Sequence, residues 1–399
     1  MTASESSQDR PLRVLYSFAH ALDWPGIATT ALNEVRGLAR RGIDVELWCT
    51  SQGSAELPPS VRVSQTMVVA GRRIPHRVLG VQRAYSRHDR LVARRLRTGP
   101  RPDLVHVWPR ACLETLTVAR ELGVPGFREC PNPHTASVYR ESAGAAADAG
   151  VPLPPGHSHA ESPFVLDLEE REFATAAALL LPSEYAAERF LEEGAPAGKI
   201  LRHRYGCDTE RFFPSGESTD ARRALHACFL GRGDPTKGLH VALQAWLTAD
   251  LPAGSTLTIA GAVDPHYGAS LHAELSHPSV RVLGFVSDTP ALLRSCDVLL
   301  LPSWTEGSAL VTYEAQASGC LPLVSTASGA YGVEGRDYLS HEVADTAALA
   351  SQLSELAADS GRLFALRAGL TARRDEYSWD AAAEVVERCY RSLLAAAPR

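Results

Sequence analysis

Short apolar runs alternate with amphipathic stretches along this chain. Residues 13–18 (Arg-Val-Leu-Tyr-Ser-Phe) have the length and composition of a buried strand. After a loop containing Pro25 and Gly26, residues 28–41 place Leu32, Val35, Leu38 and Ala39 at helical spacing, and Gly42 ends that helix. Residues 43–48 alternate like a strand. Strand, helix and strand in that order form the building block of a parallel sheet. The pattern continues with strands at 104–108, near 126–128 and at 179–181, and with helices at 113–122, 163–178 and 184–193. Between 141 and 159 it gives way to Ala, Gly and Pro, which predicts a mobile excursion. A second series begins after Phe212-Phe213-Pro214, with strands at 227–230, 256–259, 280–283, 298–301 and 321–324 and helices between them. The last segment, 380–397, is amphipathic, with Val385, Val386, Cys389, Leu393 and Leu394 near one face and Ser378 as its N-cap. The pattern predicts an α/β protein of two doubly wound domains, with a seam near residue 205. In open sheets of this kind ligands lie at the carboxyl ends of the strands, so two facing sheets place a site in the cleft between them.

Composition narrows this picture without changing it. A chain of 399 residues is long enough for two cores. With 45% hydrophobic and 22% charged residues it has the balance of a soluble globular protein. A net charge of -6 argues mildly against nucleic acid as the main partner. The first ten residues lack the basic-then-apolar order of a signal peptide, and no apolar run approaches the ~20 residues of a membrane span. Eight cysteines stand singly, with no Cys-x-x-Cys, and read as reduced, mostly buried thiols of a cytoplasmic protein.

Two stretches carry chemistry. Residues 229–238 include Gly231, Arg232 and Lys237 in a glycine-rich turn that follows a predicted strand. Of the 40 basic residues only two, Lys199 and Lys237, are lysine, and Lys and Arg are not interchangeable at a phosphate. The turn lacks the Gly-Lys-Ser/Thr order of a Walker loop and the Gly-x-Gly-x-x-Gly of dinucleotide binding, since Gly238 and Leu239 follow Lys237. The second stretch has Glu306 and Glu314 with seven residues between them, around Gly307, Ser308, Ala309 and Leu310, where a helix is predicted to open near Ser308. Free amides at a helix start suit an anion, and carboxylates suit vicinal hydroxyls. Two fixed cations stabilise a departing diphosphate without a metal ion. Glutamates at this spacing also suit a helix cap and a solvated face. Their neighbours Trp304, Gly307 and the apolar 299–301 favour a site that binds a nucleotide sugar.

These residues resemble the retaining glycosyltransferases of the GT-B fold, family 4, whose pattern is a Gly-Arg…Lys-Gly turn followed by Glu, seven residues, and Glu. The likeness extends over nearly the whole chain. Tyr205-Gly206-Cys207-Asp208 with Phe212 and Pro214 is similar to the family's interdomain junction, and Tyr377-Ser378-Trp379 with Tyr390 to its last helix. The resemblance implies an acceptor-side domain over 1–204, a donor domain over 205–377 and a helix over 378–399 that crosses back. It implies that Arg232 and Lys237 hold the diphosphate, Glu306 the donor sugar and Glu314 the ribose. Gly231, Gly307, Ser308, Ala309 and Leu310 would line the donor pocket. His134 would stand beside the transferred sugar and Gly26 would approach from the N-terminal loop. Neither a metal nor a cofactor is implied beyond the nucleotide sugar itself, most simply a UDP sugar. The leaving phosphate would help deprotonate the acceptor hydroxyl. Two positions depart from the family: Trp24-Pro25-Gly26-Ile27 and Ser328-Gly329-Ala330 each stand where a glycine pair is usual.

The acceptor is not legible. From 71 to 101 there are ten arginines and one acid, Asp89, with Val78, Val81, Tyr85, Val92 and Leu96 near helical spacing. That suits peripheral contact with an anionic surface, such as the inner face of a membrane, or a solvated face over the core. His157-Ser158-His159, without a nearby cysteine, does not predict a metal. Two other functions fit the same architecture: a nucleotide-sugar epimerase and a non-catalytic nucleotide-sugar-binding protein.

Overall fold

The computed structural model describes residues 10–24, 26–69, 71–74, 79–214 and 224–396. The N-terminal half runs β1 (Arg13–Ala21), α1 (Ile27–Arg40), β2 (Asp44–Ser51), β3 (Arg62–Gln65), a small ribbon of β4 (Val68–Val69) and β5 (Arg72–Arg73), α2 (Val81–Thr98), β6 (Leu104–Val107), α3 (Leu113–Glu121), β7 (Gly126–Glu129), α4 (Thr135–Asp148), α5 (Pro163–Thr175), β8 (Ala178–Leu181), α6 (Glu184–Glu192) and β9 (Ile200–Arg202). Its seven-stranded sheet is parallel, in the order β3-β2-β1-β6-β7-β8-β9. The C-terminal half runs β10 (His226–Leu230), α7 (Leu239–Thr248), β11 (Thr256–Ala260), the short α8 (Pro265–Ser270) and α9 (His272–Leu275), β12 (Val280–Gly284), α10 (Thr289–Ser295), β13 (Val298–Leu301), α11 (Leu310–Ala317), β14 (Leu321–Ser325), β15 (Leu339–His341), α12 (Thr346–Ala358), α13 (Ser360–Ala372) and α14 (Trp379–Ala396). Its six strands are parallel, in the order β12-β11-β10-β13-β14-β15.

Both sheets reverse their winding beside the first strand, between β1 and β6 and between β10 and β13. Central strands such as β6, β8 and β13 are buried along their whole length, as strands covered by helices on both faces must be. The two doubly wound α/β domains predicted from the apolar runs are therefore present. The strands that the pattern missed, β3, β4, β5, β9 and β15, are two to four residues long and give periodicity little to act on.

One expectation is corrected. The Ala- and Gly-rich stretch from 141 is not an excursion at its start, because α4 runs through it to Asp148. Alanine is the best helix former, and here it lies on a helix capped by the His134 ring. Only 149–162 is loop, and Ser162 closes it by capping α5. In α2 the apolar stripe faces inward at Val92 and Leu96, whereas Val81 is exposed; Val78 and Arg77 lie outside the described residues.

α14 returns from the C-terminal half to the N-terminal sheet. Ser378 caps it through Oγ, which accepts the Ala381 N–H at 3.2 Å. Arg40 of α1 and Arg41 just after it pair with Asp380 and Glu387 of α14, each at 2.5 Å. Its Tyr390 hydroxyl lies 2.6 Å from His106 Nδ1 in β6. Among the described residues no helix is long and apolar enough to cross a membrane.

Candidate functional site

Two loops leave the carboxyl ends of β10 and β13, the strands that flank the switch point of the C-terminal sheet. Ligands in open α/β sheets are held at such a place. The first loop folds as a single 3-10 turn, Pro235–Lys237. Asp234 caps that turn, accepting from Thr236 N–H at 3.0 Å and Thr236 Oγ1 at 2.6 Å. Gly238 follows in the left-handed region, φ 67°, and a Cβ there would come within 2.1 Å of Pro302 O. Only glycine allows the first loop to lie this close to the second. The Trp304 N–H, donating to Thr236 O at 2.8 Å, ties the loops together.

This packing brings Lys237 to Glu306. Its Nζ pairs directly with Glu306 Oε1, which also accepts from Ser303 Oγ at 3.1 Å. Both side chains are partly exposed, 24% and 15%. Arg232 Nε lies 2.5 Å from Asp234 Oδ2, and its side chain is 54% exposed. Burial raises the Asp234 pKa, but the His157 and Thr236 hydrogen bonds and the Arg232 charge outweigh it and hold the carboxyl well below its usual range. The site thus has one cation fixed by a buried carboxylate and a second paired with an accessible one. Gly231 precedes them with open space where a Cβ would stand.

Gly307, Ser308, Ala309 and Leu310 bring the chain into α11, which begins at Leu310 rather than at Ser308. Ser308 Oγ lies 2.8 Å from both Tyr313 Oη and Gly329 O. Glu314, one turn into α11, is raised to about 7 by burial, partly offset by Arg211. Glu306 and Glu314 are therefore unlike each other: one is ion-paired at the loop, and the other sits in the helix beside Arg211.

The N-terminal half closes over this turn. A Cβ on Gly307 would lie 1.8 Å from Pro131 O, so the halves touch backbone to backbone there. Ser183 Oγ donates to Gly307 O at 2.5 Å. The Trp304 ring lies over Gly144 of α4, and Asp148 at the end of α4 reaches His240 Nε2 at 2.7 Å. The loop after α4 contributes two histidines. His157 is buried with Nε2 3.5 Å from Asp234 Oδ2, and His159 packs on it edge to face at 5.2 Å. Burial, then the nearby charge of Lys237, push His159 down to about 3. Neither His157 nor His159 was legible as part of a site, because Asp234 and Lys237 lie some 75 residues further along the chain.

At the start of α4, the helix packed on the Lys237 turn, stands His134. Its ring is buried between Phe173 and Phe190, at 5.2 and 5.1 Å. Nδ1 accepts the Ala136 N–H at 3.3 Å, and Nε2 lies 3.2 Å from Glu170 Oε1. It caps α4, and no bond joins it to the Lys237 turn among the described residues. Gly26 heads α1 with open space where a Cβ would stand.

A second polar cluster lies in the N-terminal half, below Thr135. Arg128 donates through Nε and Nη2 to Glu172 Oε2 at 3.0 and 2.9 Å, and Arg110 Nε donates to Glu169 Oε1 at 3.0 Å. Thr135 Oγ1 also donates to Glu169. These cations are already matched by carboxylates.

Comparison with known proteins agrees with both halves. Residues 224–359 match the family model described as glycosyl transferases group 1, and residues 25–206 match that described as glycosyl transferase 4-like domain. The D-inositol 3-phosphate glycosyltransferase of Mycobacterium tuberculosis (strain H37Ra) is 29% identical over 438 aligned positions, covering 98% of this chain and 85% of that protein. That of Corynebacterium urealyticum is 30% identical over 252 residues, 56% of this chain and 59% of that protein. Sucrose-phosphate synthase from Thermosynechococcus elongatus superposes with a TM-score of 0.70 at 17% identity, over 97% of this chain and 100% of that one. Anabaena HepE in complex with UDP superposes at 0.66 and 16%, over 96% and 100%.

Proposed function

The chain belongs to the GT-B glycosyltransferases of the group 1 and 4-like families, and we propose that it transfers a sugar from a nucleoside-diphosphate sugar to an acceptor hydroxyl with retention and without a metal at the reacting centre. The observation that carries this reading is the Lys237–Glu306 pair and the Arg232–Asp234 pair on one turn at the mouth of the C-terminal sheet. In the proposed reaction Arg232 and Lys237 hold the diphosphate and stabilise the charge that gathers on it as the sugar–oxygen bond breaks. Glu306 accepts from donor-sugar hydroxyls beside Lys237, and Glu314 accepts from the ribose. Gly231, Gly307, Ser308, Ala309 and Leu310 form the wall of the donor pocket, and Gly26 borders the acceptor side. The departing phosphate oxygen takes the acceptor proton on the same face, which retains configuration and needs no protein base. His134, whose ring caps α4 beside the Lys237 turn, stands next to the transferred sugar in this proposal. The proposal treats 1–204 as the acceptor side, 205–377 as the donor side and 378–399 as the returning helix.

UDP is the nucleotide we favour, since a solved neighbour of the same fold is described in complex with it. The curated relatives are named for a phosphorylated inositol acceptor. In this chain Arg110 and Arg128 are already paired with Glu169 and Glu172, so we favour an uncharged hydroxyl acceptor. Exposed arginines of α2, such as Arg83, Arg90 and Arg94, make peripheral contact with an anionic surface part of the proposal.

The test is incubation with UDP-, GDP- and ADP-sugars and a panel of acceptors in the presence of a chelator. Free nucleotide with an acceptor glycoside of unchanged anomeric configuration is expected. An epimerised donor, or binding without turnover, would replace this reading with one of the other two functions of the architecture.

A further inference from the structure

Under the N-terminal sheet, away from the Lys237 turn, lies a closed polar cluster. Glu34 of α1, His106 of β6 and Glu129 of β7 are all buried, at 1%, 0% and 0% exposure. One ligand-type atom from each lies within 4.8 Å of the other two. Each residue also uses its other polar atom in a hydrogen bond. The Tyr16 hydroxyl donates to Glu34 Oε2 at 2.6 Å, and the Tyr205 hydroxyl donates to Glu129 Oε1 at 2.7 Å. His203 Nε2 stands 3.0 Å from that same Glu129 oxygen, and Tyr390 lies 2.6 Å from His106 Nδ1. Left over are Glu34 Oε1, His106 Nε2 and Glu129 Oε2, three buried atoms without a hydrogen-bond partner.

Leaving such atoms unmatched is costly, and two buried carboxylates side by side repel. Among the described residues no lysine or arginine is bonded to either glutamate; their partners are tyrosines and histidines. A bound cation would balance them. His106 Nε2 and Glu129 Oε2 are 3.5 Å apart. Two ligands on a tetrahedral zinc ion with bonds of about 2.1 Å stand about 3.4 Å apart. One imidazole and two carboxylates are three ligands that zinc accepts, which leaves its fourth position to a water, and the tyrosines are placed as partners that orient metal ligands through their far atoms. A Tyr390 oxygen facing Nδ1 suits the tautomer with its proton there, which leaves Nε2 free to bind an ion.

We propose that Glu34, His106 and Glu129 bind a structural zinc ion. It would join α1 to β6 and β7. Through Tyr205 and Tyr390 it would also brace the junction between the domains and the returning helix.

Zinc is the probe. The full-length protein, made in zinc-supplemented medium, is analysed for metal by mass spectrometry, and about one zinc per chain is expected. The protein is then unfolded in guanidinium with a chelator and refolded with or without zinc. Refolding with zinc is expected to raise the melting temperature by several degrees, since an ion that binds only the folded chain stabilises it. Glu34→Gln can still accept from Tyr16 but cannot supply an anionic ligand, and it is expected to lose the zinc and to melt lower. The rival is a proton shared by the two carboxylates. Protein free of metal, identical melting with and without zinc, and a Glu34→Gln variant as stable as the parent would overturn the proposal. If that variant does not fold, the refolding comparison on the unaltered chain decides.

Discussion

The cluster at Lys237 and the cluster at Arg128 are built from the same residue types and differ in what their charges have left to do. At Lys237 the partners are partly exposed, and Arg232 keeps more than half of its side chain in solvent. At Arg128 the guanidinium is 2% exposed and Glu172 0%, with Nε and Nη2 both donating to Glu172 Oε2. Burial pushes the Arg128 guanidinium down, yet the surrounding thiols and carboxylates outweigh it and hold it above its usual range. An ion pair at a mouth can be redistributed onto an anionic ligand, whereas a buried one is part of the core. Counting arginines locates neither.

The sharpest way to break this contrast is to remove each cation. Lys237→Ala is expected to lower kcat about a thousand-fold, in the range of losing one transition-state charge partner, while the melting temperature holds. Wild-type-like turnover in a steady-state assay would remove Lys237 from the site. Arg128→Met is expected to do the reverse. It takes the cationic partner from the buried Glu172 carboxylate and is expected to cost about 3–5 kcal/mol in urea denaturation. A neutral result there would mean that the buried cluster adjusts more easily than its geometry suggests.

Closure between the halves is the next point of attack. Gly307→Ala puts a methyl group into Pro131 O, so the domains must separate at the site. A loss of about a hundred-fold in turnover is expected, with a larger radius of gyration by small-angle scattering. Unchanged scattering and activity would show that the contact is not required.

Glu314 supplies a pH test. Its folded pKa of about 7 lies above its usual 4.5, because it is buried. The folded chain therefore keeps a proton that the unfolded chain releases between those values. This group's contribution to stability falls as pH rises through that window and is level above about 7. Nucleotide binding is expected to run the other way, since the ionised carboxylate is the better acceptor for ribose. Calorimetry should show affinity weaker at pH 6 than at pH 8 by up to about ten-fold, and the slope should vanish in Glu314→Gln. The smallest effect is expected at α2. Arg95 is already paired with Glu46, and Arg87 donates to Thr66 O. Vesicle flotation with anionic lipid should find weak association that is lost at moderate salt.

Local pattern was enough for the α/β series. The strand after residue 226, the glycine turn with Lys237 and the helix carrying Glu314 are all contiguous features whose spacing follows from strand and helix periods. The failures were equally specific. Residues 141–148 looked like loop because their Ala and Gly carry no apolar stripe, yet they form a helix held by packing against Trp304 and the Lys237 turn. The helix expected to open near Ser308 begins at Leu310 instead, with Ser308 Oγ held between Tyr313 Oη and Gly329 O.

The sequence by itself determined two doubly wound sheets, the turn that holds two cations, and the family whose pattern that turn matches. Each follows from residues close together along the chain. Only the tertiary structure decided that Lys237 meets Glu306 and that Asp234 is held by a histidine from the opposite half. Only there do Glu34, His106 and Glu129 converge under one sheet. Such meetings depend on where crossovers and loops end in space, and hydrophobic periodicity specifies which face a residue occupies without specifying its partner.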